Sequence, residues 1–326
     1  MTRWICAVAL LLACGDDDGA EDMSAPSDAA QEQEVDTAVA MDAAESDAED
    51  AAEGGGQDVA IDVALDTAMT IGSSGCLTGV PLDDGEHTVT IGERERRYMV
   101  RVPEGYSAER AWPVIFALHG NGGNPGYWDG DSADRNIREA FGDEAILIIP
   151  EAIDNAWRNY DADRSTWPAL IEEELAFFDA THERVLGAFC VNEDAVFSMG
   201  FSGGGSFSGL LGCRRDYIRA IGVGGSVIYF DDADGNPEES ECTHTPAAWI
   251  TIGQDELATG RERFRDFFVD LAGCDAAPAP NADCLEYSCP DETPVIYCTH
   301  PAGHVWPAIG TDATRTFFRQ FYASDE

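Results

Sequence analysis

The strongest candidate for a catalytic residue in this sequence is a serine in a glycine-rich turn. Ser202 lies in Gly200-Phe201-Ser202-Gly203-Gly204, between the apolar run 195–199 and a helical pattern. On a sharp strand-to-helix turn, small neighbours let the serine adopt a strained backbone conformation while its hydroxyl projects above the sheet. We expect Ser202 to be a nucleophile and the Gly203 N–H to face an oxyanion. A turn that serves packing alone is the alternative. Phosphate binding is disfavoured because the chain has neither GxxxxGK nor any lysine.

A second glycine-rich loop follows the apolar run 114–118. It reads His119-Gly120-Asn121-Gly122-Gly123-Asn124, and such a loop lets a backbone N–H approach a substrate oxygen closely. We expect the Asn121 N–H to be the second oxyanion donor, with Gly122 as the alternative, and His119 to hold the loop. One such donor typically contributes ~2.7–4 kcal/mol of transition-state stabilisation.

A serine nucleophile needs a histidine base oriented by a carboxylate, in the chain order serine, acid, histidine. Asp255 follows the apolar run 249–252 and is the predicted acid, with Glu256 and Asp231 as competitors. The predicted base is His304, in a late loop of the sequence. His300 is the other late histidine, and we expect it to lie at the surface or behind the base.

The elements that must position these residues follow from alternating short apolar runs and helical patterns. Continuous apolar runs separated by helices predict a buried, mainly parallel sheet flanked by helices, which is α/β architecture. Residues 76–326 form one domain on this interpretation. The predicted strands are 87–91, 97–102, 114–118, 145–149, 196–199, 220–223 and 249–252, and the predicted helices are 172–186, 204–211, 261–271 and 312–322.

The first 75 residues differ from the rest of the chain. Residues 4–13 are apolar, too few to span a bilayer but typical of a signal peptide, and Leu11-Leu12-Ala13-Cys14-Gly15 resembles the lipobox of bacterial lipoproteins. We expect residues 1–14 to be a lipoprotein signal segment with Cys14 lipidated. An ordinary secretory signal is the alternative. Residues 15–75 lack aromatic and basic residues and predict a disordered acidic tether.

Charge and cysteine content restrict the partners and the compartment. The chain has 62 acidic residues, 19 arginines and no lysine, and residues 76–326 alone carry 44 acidic residues against 18 arginines. A nucleic-acid partner is therefore excluded, and neutral substrates are favoured. Eight cysteines lie within the domain, an even number that predicts disulfides in an exported protein. They are Cys76, Cys190, Cys213, Cys242, Cys274, Cys284, Cys289 and Cys298. Their spacing predicts no metal site.

The motifs together resemble the secreted feruloyl esterases and polyhydroxybutyrate depolymerase-like proteins of carbohydrate esterase family 1, within the α/β-hydrolases. The resemblance runs from Cys76 to about Phe321, and its most specific motif is Gly303-His304-Val305-Trp306-Pro307. It implies an α/β-hydrolase fold and a Ser202/Asp255/His304 triad that hydrolyses an ester without a cofactor. Relatives usually have Asn at the position of Gly203 and a His-Gly pair before the acid, so the surroundings of this site differ from theirs.

The resemblance also implies a disulfide between Cys213 and Cys242. By position we add three pairs: Cys76 with Cys190, Cys274 with Cys298, and Cys284 with Cys289. Each natural disulfide is expected to contribute ~2–5 kcal/mol to stability.

Aromatic residues in loops near the expected site are candidate substrate contacts, with packing above the core as the alternative role. They are Tyr127, Trp128, Trp157 and Trp306. We expect a monomeric surface or periplasmic serine esterase that acts on feruloyl or acetyl esters of plant polysaccharides or on small aromatic esters. Its contact with a membrane would be through the lipid on Cys14 alone. The alternatives are a polyester depolymerase and a non-catalytic surface binding protein with the same fold.

Overall fold

The computed structural model describes residues 72–130, 135–158, 163–229, 242–290 and 292–323. The predicted signal segment with Cys14, nearly all of the tether and the competitor acid Asp231 lie outside the described residues. Gly72 forms a bridge with Asn192, and a short helix begins at Gly75. The structured chain therefore starts slightly before the domain boundary expected at Cys76.

The described residues form a ten-stranded sheet in the order β1-β2-β4-β3-β5-β6-β7-β10-β9-β8. The strands are β1 (Gly85–Ile91), β2 (Arg94–Arg101), β3 (Trp112–Leu118), β4 (Ile146–Pro150), β5 (Val191–Phe201), β6 (Ala220–Gly224), β7 (Ala247–Gly253), β8 (Ala279–Asn281), β9 (Cys284–Tyr287) and β10 (Val295–His300). The six central strands, from β4 to β10 in this order, are parallel. Antiparallel strands extend both edges. The predicted α/β-hydrolase class is confirmed.

Helices cover both faces of the sheet. They are α1 (Gly75–Thr78), α2 (Ile137–Phe141), α3 (Trp167–Ala188), α4 (Gly203–Arg214), α5 (Glu262–Leu271) and α6 (Gly310–Arg319). Side chains of α3, α4 and α5 share one hydrophobic cluster, and side chains of α2 and α6 share the other. Every residue of β3 is buried because alternate side chains enter opposite clusters. Both layers thus fix the central strands, whose carboxyl ends hold the catalytic candidates.

Four disulfides join the eight cysteines of the domain. The predicted pairs Cys76–Cys190 and Cys213–Cys242 are confirmed. The other two predicted pairs are wrong.

The two bonds that replace them are Cys284–Cys298 and Cys274–Cys289. Strand β9 pairs with β10 in a register that sets Cys284 opposite Cys298. The second bond follows from a contact beyond α5, where the N–H of Asp275 donates to the Ser288 carbonyl at 2.8 Å. That contact brings Cys274 next to Cys289.

None of the helices in the described ranges combines the length and the apolar character that a membrane span requires.

Candidate active site

Ser202 lies in a tight turn between β5 and α4. Its backbone has φ 56° and ψ −120°, a strained conformation for a residue with a side chain. The Ser202 N–H donates to the Gly224 carbonyl at 2.8 Å, which ties the turn to β6. A Cβ on Gly204 would lie 2.2 Å from the Leu118 carbonyl oxygen, so this position must be glycine. The turn therefore has the shape expected of a nucleophile elbow.

A chain of hydrogen bonds links Ser202, His304 and Glu256. Nε2 of His304 lies 2.8 Å from Oγ of Ser202. Nδ1 of the same ring lies 2.7 Å from Oε1 of Glu256. Because Nδ1 donates to the carboxylate, Nε2 is left as the acceptor for the serine hydroxyl proton. The arrangement is that of a nucleophile, a general base and an acid that orients the base.

The acid in contact with His304 is Glu256, and the expectation for Asp255 is corrected. Both residues lie in the 3₁₀ turn Gln254–Thr259 that follows β7. Successive residues of such a turn point about 120° apart. The Glu256 side chain is 8% exposed and turns inward, whereas Asp255 is exposed and its N–H donates to Ala302 O at 3.3 Å.

The loop that carries His304 comes unusually close to the ends of two strands. A Cβ on Gly253 would lie 2.3 Å from the carbonyl oxygens of Ala302 and Gly303. A Cβ on Gly225 would lie 2.8 Å from Nδ1 and Cε1 of His304. Glycine at these positions lets the imidazole sit against the ends of β6 and β7. His300 is buried at the end of β10 rather than at the surface.

Arg261 is a site residue that the sequence did not single out. Its Nε lies 2.9 Å from Oε1 of Glu256, and Nη1 donates to the Gly225 carbonyl oxygen. The helical pattern 261–271 included this arginine without indicating its direction. No signal in the sequence separates it from Arg263 or Arg265.

The two predicted oxyanion donors lie side by side. The backbone nitrogen of Asn121 is 3.1 Å from the position that a Cβ on Gly203 would occupy. The alternative donor, the Gly122 N–H, is already bound to the Asn155 carbonyl at 2.7 Å. The backbone nitrogen of Asn121 therefore lies next to Gly203, as a pair of oxyanion donors requires.

The side chain of Asn121 fixes the loop from which its own N–H points. Its Oδ1 accepts the Trp157 N–H, and its Nδ2 donates to the Arg158 carbonyl, both at 3.1 Å. This side chain fills the space beside Gly203, where a Cβ would lie 2.1 Å from Oδ1. The packing gives a physical reason for glycine after the nucleophile, the first departure from the family pattern.

His119 holds the glycine-rich loop 119–124 through hydrogen bonds of its ring. The Ala152 N–H donates to its Nε2 at 3.2 Å, so Nδ1 carries the proton and donates to the Gly120 carbonyl at 2.8 Å. Burial lowers the pKa of His119 and keeps the ring neutral. The expected loop-holding role agrees with these contacts.

Three of the four predicted substrate contacts are buried in the core. Trp128 and Trp157 are 0% and 1% exposed, and Trp306 is 6% exposed between Gly224 and Gly310. They are corrected to packing residues because almost none of their surface is exposed. The fourth, Tyr127, is half-buried and stacks on Phe201 at 6.0 Å, and Phe201 contacts the His304 ring.

Two exposed apolar side chains lie on the His304 loop and were not predicted. Val305 and Ile309 are 49% and 58% exposed. Val305 directly follows the base in the chain, so an exposed apolar side chain is the sequence neighbour of His304. Within the described ranges, no three His, Cys, Asp or Glu side chains converge as metal ligands.

Comparison with known proteins places this site in a family. No family model matches the chain. It is 31% identical to the "probable feruloyl esterase C" of Aspergillus niger over 272 residues, which is 76% of this chain and 90% of that protein. The chain belongs to the feruloyl esterase family. Feruloyl esterase D of Neurospora crassa is 29% identical over 254 residues, 74% of this chain and 81% of that protein.

Membership of the feruloyl esterase family indicates the activity, and similarity to solved structures supports the fold. A structure described as a ferulic acid esterase has a TM-score of 0.51 at 16% identity and covers 75% of this chain and 100% of that one. The protein is a carboxylic ester hydrolase, as the resemblance implied. The hypothesis of a non-catalytic binding protein is therefore wrong.

Proposed function

We propose that this feruloyl esterase-family protein is an exported serine esterase that releases feruloyl or related acyl groups from plant-polysaccharide esters. The observation that carries the proposal is the pair of hydrogen bonds from Ser202 through His304 to Glu256, at 2.8 and 2.7 Å. Each member holds the position that an acyl-enzyme mechanism requires.

In the first half of the reaction, Ser202 Oγ attacks the ester carbonyl carbon while His304 Nε2 takes the hydroxyl proton. The carbonyl oxygen becomes an oxyanion that the N–H groups of Gly203 and Asn121 bind. The Glu256 carboxylate stabilises the imidazolium. When the tetrahedral intermediate collapses, the C–O bond to the alcohol breaks, and His304 gives its proton to the leaving oxygen. An acyl-Ser202 ester remains.

In the second half, water attacks the acyl-Ser202 carbonyl carbon and His304 takes one of its protons. The same two N–H groups bind the second oxyanion. Collapse breaks the bond to Ser202 Oγ, which recovers its proton from His304. The products are the free acid and the unchanged protein, so no cofactor is consumed.

The surroundings of Ser202 favour a neutral, aromatic acyl group. Tyr127 is half-buried over Phe201, and Val305 adds an exposed apolar surface next to the base. Aromatic rings gain from stacking on such surfaces. The domain's excess of acidic residues disfavours charged polyuronates. The relatives' names point to the same acyl group.

Ester hydrolysis by the full chain tests the proposed function. The chain is produced in an exporting host and assayed with p-nitrophenyl acetate and methyl ferulate, beside Ser202→Ala and His304→Ala. Loss of activity by at least about 10³-fold in both variants supports the mechanism, and a higher kcat/KM for methyl ferulate supports the acyl group. Folded wild-type protein no more active than the variants contradicts the proposal.

We also propose that Cys14 carries a lipid that anchors the protein. The four disulfides fit an exported domain. Acyl chains on Cys14 would hold the protein at a membrane, since two chains already give stable anchoring. Cys14→Ala should move the protein from the membrane fraction to the soluble fraction. Cys6→Ala, the matched control, should leave it membrane-bound. Equal fractionation of Cys14→Ala and wild type contradicts the anchor.

A further inference from the structure

Arg261 reaches from the start of α5 into the hydrogen-bonded chain that ends on Ser202. Its Nε lies 2.9 Å from Oε1 of Glu256, the oxygen that His304 also contacts. Its Nη1 donates to the carbonyl oxygen of Gly225. One guanidinium group therefore bonds to the turn after β7 and to the turn after β6.

These two turns both contact the imidazole of His304. Gly225 lies against the ring, where a Cβ would come within 2.8 Å of Nδ1. Its N–H donates to the Thr251 carbonyl of β7 at 3.0 Å. Arg261 joins the same two turns through its ion pair with Glu256 and its hydrogen bond to Gly225. It therefore fixes the carboxylate relative to Gly225, against which the His304 ring packs.

The carboxylate needs such a partner because it is removed from water. The Glu256 side chain is 8% exposed, and its Oε2 has no hydrogen-bond partner among the described residues. A carboxylate that is removed from water needs a cation or further hydrogen bonds to offset its lost hydration. The nearby His300 does not supply the charge, because burial lowers its pKa although Glu256 opposes the shift. The cation that the structure places on this carboxylate is the Arg261 guanidinium.

We propose that Arg261 is a positioning residue, which holds the Glu256 carboxylate on Nδ1 of His304. The proposal rests on the proposed function of Ser202, His304 and Glu256. Arg261 acts through Glu256 and does not itself touch the ester.

The test compares Arg261→Gln with Arg263→Gln, which removes the same charge from an exposed residue two positions along the chain. With p-nitrophenyl acetate, kcat of Arg261→Gln should fall about 10- to 100-fold, because a misplaced base costs rate rather than binding. Its KM should stay within about 3-fold of wild type. Arg263→Gln should resemble wild type in both constants.

A double variant separates positioning from a general structural effect. If Arg261 acts through Glu256, Arg261→Gln combined with Glu256→Gln should be no slower than Glu256→Gln alone, within about 3-fold. Arg261→Lys keeps the charge and should recover part of kcat. It also serves as the second variant if circular dichroism shows that Arg261→Gln does not fold.

Two outcomes overturn the proposal: kcat of folded Arg261→Gln within about 3-fold of wild type, or effects of Arg261→Gln and Glu256→Gln that multiply. Failure of the proposed function is distinguishable, since wild type would then hydrolyse neither ester. In that case the same variants are compared by the rate at which a fluorophosphonate labels Ser202, measured by intact mass. Equal labelling of wild type, Arg261→Gln and Arg263→Gln overturns the positioning role.

Discussion

Two adjacent carboxylates after β7 have opposite surroundings. Glu256 is buried and accepts a hydrogen bond from His304, while Asp255 is exposed and holds the His304 loop through its backbone N–H. A carboxylate that orients the base and stabilises the imidazolium contributes through its charge. An exposed carboxylate in the next position contributes little to the reaction.

Exchange of each acid for its amide tests this difference. Glu256→Gln should lower kcat for p-nitrophenyl acetate by about 10²- to 10⁴-fold, because the amide neither fixes the donor state of Nδ1 nor stabilises the imidazolium. Asp255→Asn, the matched control, should stay within about 3-fold of wild type. The reverse pattern would restore Asp255 as the catalytic acid.

Gly203 is the residue whose backbone must fit beside the oxyanion loop, the glycine-rich loop 119–124 that carries the proposed donor Asn121. A Cβ there would lie 2.1 Å from Oδ1 of Asn121, so Gly203→Ala should displace both donor N–H groups. We expect kcat to fall about 10²-fold or more with a smaller change in KM. Gly187→Ala is the control, since a Cβ on this helical residue meets nothing within 4 Å. Steady-state kinetics that are equal for the two variants would contradict the predicted donor pair.

At the scale of elements, a buried ion pair links α3 and β2 to the oxyanion loop. Glu174 of α3 accepts from Arg96 Nη2 at 2.7 Å and from the Ile153 N–H at 2.9 Å. Ile153 begins the turn that includes Asn155, whose carbonyl binds the Gly122 N–H. The loop therefore depends on a helix that contributes no residue to the reaction.

Removal of the Glu174 charge should lower the stability of the domain. Glu174→Gln leaves the Arg96 guanidinium buried, so we expect the free energy of unfolding in urea to fall by about 3–5 kcal/mol. The neighbouring Glu173 pairs with Arg94 at the surface, and Glu173→Gln should cost less than about 1 kcal/mol. A loss of only about 1 kcal/mol in Glu174→Gln would mean that water or a shifted side chain compensates the charge.

The sequence predicted five of the six parallel strands, because each of the five contains a continuous apolar run buried on both faces; it predicted no bounds for β10, whose run ends in the polar Thr299 and His300. It missed the β8–β9 hairpin, since Ala279–Asn281 is exposed and has no apolar pattern. The register of β9 against β10 sets Cys284 opposite Cys298, and the sequence predicted the bounds of neither strand, so two disulfides were mispaired. Glu256 and Asp255 are separable only by the direction of each side chain in the 3₁₀ turn. Trp306 looks like a loop residue until its packing against Gly224 and Gly310 is known.

For the whole molecule, the excess of negative charge is the dominant electrostatic feature. Residues 76–326 carry 44 acidic residues against 18 arginines. Arginine pairs such as Arg101–Asp129 and Arg315–Glu144 neutralise a part of this charge. Burial opposes the ionisation of Asp129 and Glu144, yet their arginine partners outweigh it and lower both pKa values. Their contribution is therefore complete above about pH 5 and is lost as the pH falls further.

At neutral pH the unpaired carboxylates repel one another, and this repulsion destabilises the folded state more than the unfolded chain, because the charges are closer together in the fold. Raising NaCl from about 0.01 to 0.3 M shortens the Debye length from about 30 Å to below 8 Å. The same change weakens exposed ion pairs, but each contributes less than about 1 kcal/mol. We expect the weaker repulsion between carboxylates to outweigh the weaker ion pairs. The melting temperature at pH 7 should therefore rise by roughly 3–6 °C, corresponding to about 1–2 kcal/mol.

Calorimetry with NaCl, KCl and sodium perchlorate separates screening from ion-specific effects. Screening depends on ionic strength alone, so the three salts should raise the melting temperature equally up to about 0.3 M. At pH 3, where protonation removes much of the repulsion, the increase should shrink. A melting temperature that falls with salt at pH 7 would show that the arginine pairs, rather than the unpaired carboxylates, dominate the electrostatic free energy of this domain.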